Sequence, residues 1–83
     1  RKGRKEYMKK LTQAESGEKG IIAKVEGDTR FLSRITSIGL TPGSPVTVIL
    51  NEKKRPLLIY SRDTMIALNR EECGKIQIQG GRE

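Results

Sequence analysis

The chain has no histidine and no tryptophan, and only one cysteine, one phenylalanine and two tyrosines among its 83 residues. Each shortage removes a class of function. Without histidine, the sequence lacks the side chain that titrates most readily near neutral pH, and no Cys–His or Ser–His pair can be assembled. A single cysteine forms no internal disulfide, which fits a reducing compartment. Zinc and ferrous sites draw on clusters of histidine, cysteine and carboxylate; one thiol, Cys73, and scattered carboxylates argue against a closed intrachain site. Glu71 and Glu72 are adjacent, but neighbours on a helical turn splay apart and do not share a proton. No stretch supplies the Gly-x-x-x-x-Gly-Lys-Ser/Thr loop that cradles nucleotide phosphates. No apolar run approaches the ~20 residues of a membrane span, and the N-terminus resembles no secretory signal. The expectation is a cytoplasmic protein that is not an enzyme and carries no cofactor of its own.

The length corresponds to one small domain, whose core must be compact because a chain of this size buries only about 60% of the surface its unfolded form exposes. Its apolar residues are mostly Ile, Val and Leu, which suit a small sheet or barrel better than a helical bundle. The formal charge is +7, with 17 basic and ten acidic residues. Residues 1–10 hold six of the basic residues and one of the acidic ones, leaving eleven against nine in the remainder. Residues 1–10 therefore read as a basic tail, disordered or foreign to the native chain, with Met8 as a native start. Residues 80–83 read as a C-terminal tail, and residues 11–79 as the domain.

Within that domain, Gly20–Gly27 bounds a strand carrying Ile21, Ile22 and Val25. Asp28 or Thr29 caps a helix in which Phe31, Ile35 and Ile38 share an apolar face, with Leu32 beside them and Arg30, Ser33, Arg34 and Ser37 on the wet side. Gly39 sits where a left-handed residue ends a helix, and Pro42-Gly43 has the order of a type II turn. Strands follow at 45–50, with Val46, Val48 and Leu50 on one face, then at 57–61, 65–68 and 75–79. A charged hairpin loop spans 51–56, Arg62-Asp63-Thr64 turns the chain, and Asn69 caps a brief helical turn before Gly74. The expected fold is all-β (mainly β): a small SH3-like, partly open barrel of about five strands with one short α-helix after the first strand.

Three segments in register carry a family resemblance. Arg34 through Gly43, ending Ile38-Gly39-Leu40-Thr41-Pro42-Gly43, resembles the helix-end motif of the ferrous iron transport protein A family. Ala67 through Ile76 is similar to that family's closing segment, and Gly17 through Ile22 to its first-strand lead-in. The match runs from about Leu11 to Ile78; Ile35, Ser37, Ile38 and Asp63 depart mildly from the pattern. The resemblance implies an accessory or regulatory role in ferrous iron uptake. The implied partner is a membrane ferrous iron transporter with a cytosolic GTPase domain, which would recruit the chain to the inner face of the cell membrane. The same barrel also occurs as the C-terminal domain of metal-dependent transcriptional repressors, a second reading. The third is a small-barrel nucleic-acid module, for which Lys53, Lys54 and Arg55 offer a basic tip but the few aromatics offer little stacking surface.

The expected partner-binding residues are Arg34, Leu40, Thr41 and Pro42, at the helix end. Arg34 would pair with an acidic partner and Leu40 would be partly exposed; the competing reading makes Leu40 a core plug and Pro42-Gly43 a simple turn. Cys73 is expected to be a small buried residue. It remains the one group for transition-metal contact, in a weak site shared between protomers, if it is exposed.

Overall fold

The computed structural model describes residues 5–82, with side chains from Met8 to Gly80. Six strands form one antiparallel sheet in the order β1-β6-β2-β3-β4-β5. They are β1 (Lys5–Lys10), β2 (Lys19–Val25), β3 (Pro45–Leu50), β4 (Leu57–Ser61), β5 (Thr64–Leu68) and β6 (Ile76–Arg82). Helix α1 (Thr29–Ser37) joins β2 to β3, and the single-turn α2 (Arg70–Cys73) joins β5 to β6. The mainly β, barrel-like expectation holds, with one strand more than expected.

The additional strand comes from the segment read as a tail. Lys5–Lys10 pairs with Gln77–Arg82, so Gly80–Arg82 is also strand and not a C-terminal tail. The segment has too few apolar residues for a period-two signal to show. Its pairing rests on backbone hydrogen bonds to β6, which carry no sequence signature.

The core forms because alternate residues of β3 to β6 face inward, while a bulge between Ile22 and Lys24 turns both Ile22 and Val25 of β2 towards it. Ile22 opposes Ile78, Val25 opposes Ile76, Val48 opposes Ile59, and Leu57 opposes Leu68. Leu11, Ala14, Phe31, Ile35, Leu40, Val46 and Cys73 complete the buried cluster. Each Val, Leu, Ile or Phe side chain among them contributes about 1.5–3 kcal/mol when withdrawn fully from water. One residue breaks the expected pattern. A bulge between Val48 and Leu50 shifts the register of β3, so Leu50 leaves the Val46–Val48 face and is exposed.

Helix α1 starts as expected: the Asp28 carboxylate accepts from the Phe31 N–H at 2.9 Å. Phe31 and Ile35 enter the core, whereas Leu32 and Ile38 stay partly exposed, so the apolar face is narrower than the sequence suggests. The Lys75 ammonium lies 4.8 Å from the centroid of the Phe31 ring, closing its outer side.

Between the single 3-10 turn Leu11–Gln13 and the end of β3, one polar side chain joins distant parts of the chain. The Asn51 amide donates to the carbonyls of Thr12 (3.1 Å) and Ala14 (2.5 Å), and the Asn51 N–H donates to Ser16 Oγ. Asn51→Ala is expected to cost about 1–2 kcal/mol, from two lost hydrogen bonds. Asn51→Asp should cost more, because it turns a carboxylate oxygen towards two carbonyl oxygens. Urea denaturation of the three proteins checks both the loss and its order.

Candidate functional site

The residues expected at the surface cluster around the exit of α1, and the structure sorts them by role. Gly39 adopts φ +94°, and two backbone bonds end the helix: Gly39 N–H to Thr36 O at 3.0 Å, and Leu40 N–H to Ile35 O at 3.1 Å. This is the Schellman arrangement, which brings the residue after the glycine onto the side chain one turn back. Leu40 accordingly packs into the same core as Ile35 and is 1% exposed. Of the two readings of Leu40 drawn from the sequence, the structure fits the core plug: the side chain is buried and not partly exposed.

The turn that follows is fixed by a residue the sequence reading passed over. Ser44 is fully buried, and its hydroxyl donates to Gly39 O at 3.1 Å while accepting from Thr41 N–H at 3.3 Å. Thr41 Oγ1 lies 3.1 Å from the same oxygen. Pro42 and Gly43 then make the expected turn, with Gly43 at φ +95° and Ser44 N–H bonded to Thr41 O at 2.9 Å. Thr41 is half-buried and committed to this network; Pro42 is exposed. A serine directly after Pro42-Gly43 was the available signal, but turn serines are usually solvated.

Arg34 already has an acidic partner. Its guanidinium pairs with the Glu72 carboxylate, which also accepts from Asn69 N–H in the capping box of α2. About half of the Arg34 side chain remains exposed. Arg34 thus ties α1 to α2 and keeps a free edge for a second acceptor.

The outer side of α1 is the open surface of this region. Thr29, Leu32, Ser33, Thr36 and Ser37 line a shallow groove along it, and Ile38 is exposed at its end. Ser37 Oγ donates back to Ser33 O at 2.9 Å, so that hydroxyl is turned onto the helix. What remains is Leu32, exposed among the small polar residues of the groove, with Ile38, Pro42 and about half of the Arg34 side chain exposed at the helix end. Such a surface can dock a protein; it holds no group suited to general acid–base or covalent chemistry.

Among the described residues, no group of three or more His, Cys, Asp or Glu could hold a metal ion. Cys73 is buried, with Sγ 3.8 Å from Leu68 O, and so cannot reach a neighbouring protomer. Burial pushes its thiol up to about 11, the nearby Arg70 cation offsetting part of that rise. Phe31 is a core residue, and Tyr60 donates its hydroxyl to Asp63 at 3.0 Å, a contact that holds the phenol above its ordinary pKa. Tyr7 lies outside the described side chains.

Leu40→Asp should abolish cooperative folding, and Leu40→Ala should cost about 2–5 kcal/mol, as cavities in small cores do. Circular dichroism on urea titration checks both. Cys73 should resist iodoacetamide at pH 8 and react fully once unfolded. With the folded thiol at about 11 and the unfolded one at 9.0, the unfolded chain loses its proton first as pH rises. The Cys73 contribution to stability should therefore be intact below pH 9 and fall away between about 9 and 11, as urea midpoints across that range can measure.

Comparison with known proteins places these features in a family. The FeoA domain family model matches residues 9–80. A candidate Fe(2+) transport protein A from Methanocaldococcus jannaschii is 31% identical over 72 residues, which cover 87% of each chain. An Fe(2+) transport protein A/Fe(2+) transporter FeoB fusion protein from Porphyromonas gingivalis is 30% identical over 71 residues, or 84% of this chain. This chain spans only 8% of that fusion. Among solved structures, an iron uptake regulatory protein (FeoA) superposes with a TM-score of 0.84 at 22% identity, over 92% of this chain and all of the other. Stenotrophomonas maltophilia FeoA complexed with zinc, described as an SH3 domain protein, gives 0.72 at 16%, over 86% and 94% of the two chains. A manganese-dependent transcriptional repressor gives 0.83 at 17%, over 92% of this chain and 43% of the repressor. At these identities the superpositions establish the SH3-like fold and nothing more. The sequence matches establish the family: the chain belongs to the FeoA domain family of ferrous iron transport.

Proposed function

We propose that the chain is an accessory protein of ferrous iron uptake. It acts by protein–protein contact with the cytosolic GTPase domain of a membrane ferrous iron transporter. The observation that carries this reading is the Porphyromonas gingivalis relative, in which a transport protein A and a transporter FeoB share one polypeptide. Two domains joined in one chain in one organism, and separate in another, commonly meet as partners, because fusion only raises their effective concentration. The chain then works in the cytoplasm, at the inner face of the membrane when bound. No helix among the described residues is long and apolar enough to cross it.

The contact surface is the outer side of α1 and its exit. Leu32, Ile38 and Pro42 supply apolar contact, and the free edge of Arg34 takes a carboxylate or carbonyl of the GTPase domain. Leu40, Thr41 and Ser44 support that surface from beneath. The chain has no phosphate-binding loop, so any coupling to GTP runs through the partner.

Isothermal titration against the GTPase domain of the cognate transporter, at low and at physiological salt, tests the proposal, with a mixed-sequence RNA as control. Binding should persist at physiological salt and weaken about tenfold in Leu32→Asp, an exposed position, with an unchanged melting temperature. Binding to RNA alone, unaffected by removing residues 1–4, would sink the proposal in favour of the nucleic-acid reading.

A further inference from the structure

The sheet has two free edges, and they are built differently. At β1 the edge sequence is Lys-Glu-Tyr-Met-Lys-Lys, with four charges in six residues. Charged edges, lysine-rich ones especially, discourage pairing with another strand. At β5 the edge reads Thr-Met-Ile-Ala-Leu, with no charge and no proline.

The backbone of β5 is also presented outwards. Arg62 and Asp63 have φ of 52° and 67°, the mark of a two-residue type I′ hairpin that makes Ser61 and Thr64 a hydrogen-bonded pair. By alternation, Ile66 and Leu68 bond to β4, while the N–H and C=O of Met65 and Ala67 face away from the sheet. Among the described residues, β5 pairs with β4 alone, and no other backbone bond reaches Met65 or Ala67. The outer face beside this edge is apolar. Leu50, Leu58 and Ala67 form one cross-strand row, and Thr47, Tyr60 and Met65 the next. Met65 is 57% exposed.

The charge around this face selects its occupant. Residues 50–70 hold five basic residues (Lys53, Lys54, Arg55, Arg62 and Arg70) against two acidic ones, Glu52 and Asp63. The basic hairpin tip lies at the Asn69 end of β5, where Arg70 Nη1 bonds the carbonyls of Glu52 and Arg55; Arg62 lies at the other end. A second copy fits poorly. Pairing two β5 edges about Ile66 would place Arg62 of one protomer opposite Arg70 of its partner, between chains of formal charge +7.

We propose that β5 is a strand-addition edge. It accepts an extended segment of another polypeptide, with apolar side chains at alternate positions and acidic residues at both ends. The apolar side chains extend the rows of Met65 and Ala67, and the acidic ends meet Arg62 and the 53–55 tip. This surface is separate from the α1 contact and does not depend on it.

The test uses the whole chain and a synthetic peptide of alternating valine and threonine with two aspartates at each end. A version ending in lysines serves as control. Amide exchange followed by NMR should slow at Met65 and Ala67 with the acidic peptide and not with the lysine version. Ala67→Lys, at an exposed position, should weaken binding about tenfold. Ala67→Pro, which removes only an outward N–H, should do the same, while both variants leave GTPase-domain binding unchanged. Protection at β1 or α1, equal binding of the lysine peptide, dimers in sedimentation that Ala67→Lys dissolves, or uptake by anionic vesicles in place of the peptide would each overturn the proposal.

Discussion

The backbone of Ile22 holds the molecule to one topology. Its N–H donates to Ser44 O and its C=O accepts from Gly43 N–H, both at 2.8 Å. Residues 23–42, which include all of α1, therefore form an excursion whose two ends are stitched together at one residue of β2. Beyond that stitch, Ile21, Gly20 and Lys19 continue the pairing with Pro45, Val46 and Thr47. The Ile22 side chain is buried opposite Ile78. One residue thus fixes the helix exit, the register of β2 with β3, and the inward face of β2. A one-residue slip here would turn every inward side chain of the strand to solvent.

That constraint explains why the helix exit is rigid enough to present a surface. The turn has few side chains to bury, so its order comes from hydrogen bonds to a buried hydroxyl and from Leu40 beneath it. The order spreads sideways through charged contacts. Arg34 joins α1 to Glu72 in α2, and Arg70 in α2 joins the carbonyls of the 52–55 loop. Each of these contacts is partly solvated and individually modest. Together they hold α1, α2 and the β3–β4 hairpin in one arrangement, which sheet pairing alone would leave loose.

Much of this fold was legible in the sequence because several elements obey short-range rules. Asp28 before an apolar 3.6-residue period, Gly39 after it, Pro42-Gly43, and Ile76-x-Ile78 each have a local physical meaning, and each took the place assigned to it. The resemblance drew on several of the same residues, Gly39, Pro42, Gly43 and Ile76 among them, which is why family and fold came out together. What was missed depends on contacts distant in sequence. Ser44 and Asn51 look like ordinary loop polars; their partners lie in the backbone of other segments. Strand β1 has almost no apolar residues to announce it, since its pairing is made by main chain. Leu50 follows the alternation of β3 until the bulge at Ile49, and nothing in PVTVIL marks where that alternation breaks. At the candidate site, exposure depends on packing that the sequence does not display: Leu40 turned inward and Arg34 was already paired.

The excess positive charge now has a structural meaning that composition alone did not provide. Most described acidic side chains are engaged within the molecule. Asp28 caps α1, Glu72 caps α2 and pairs with Arg34, and Asp63 holds Tyr60. Glu18 pairs with Lys9, Glu26 with Lys24, and Glu52 with Arg55. Basic residues outnumber these partners, and Arg30, Lys53, Lys54 and Arg62 stand exposed on loops and on α1. The field outside the protein follows the excess of 17 basic over ten acidic residues, and the exposed cations on loops and on α1 concentrate it locally. Acidic surfaces are therefore drawn to this domain before any contact forms. On the contacts proposed above, the outer side of α1 and the uncharged edge of β5 would then discriminate among them by shape, since attraction by the basic surface is common to every acidic partner while each docking geometry is particular to one.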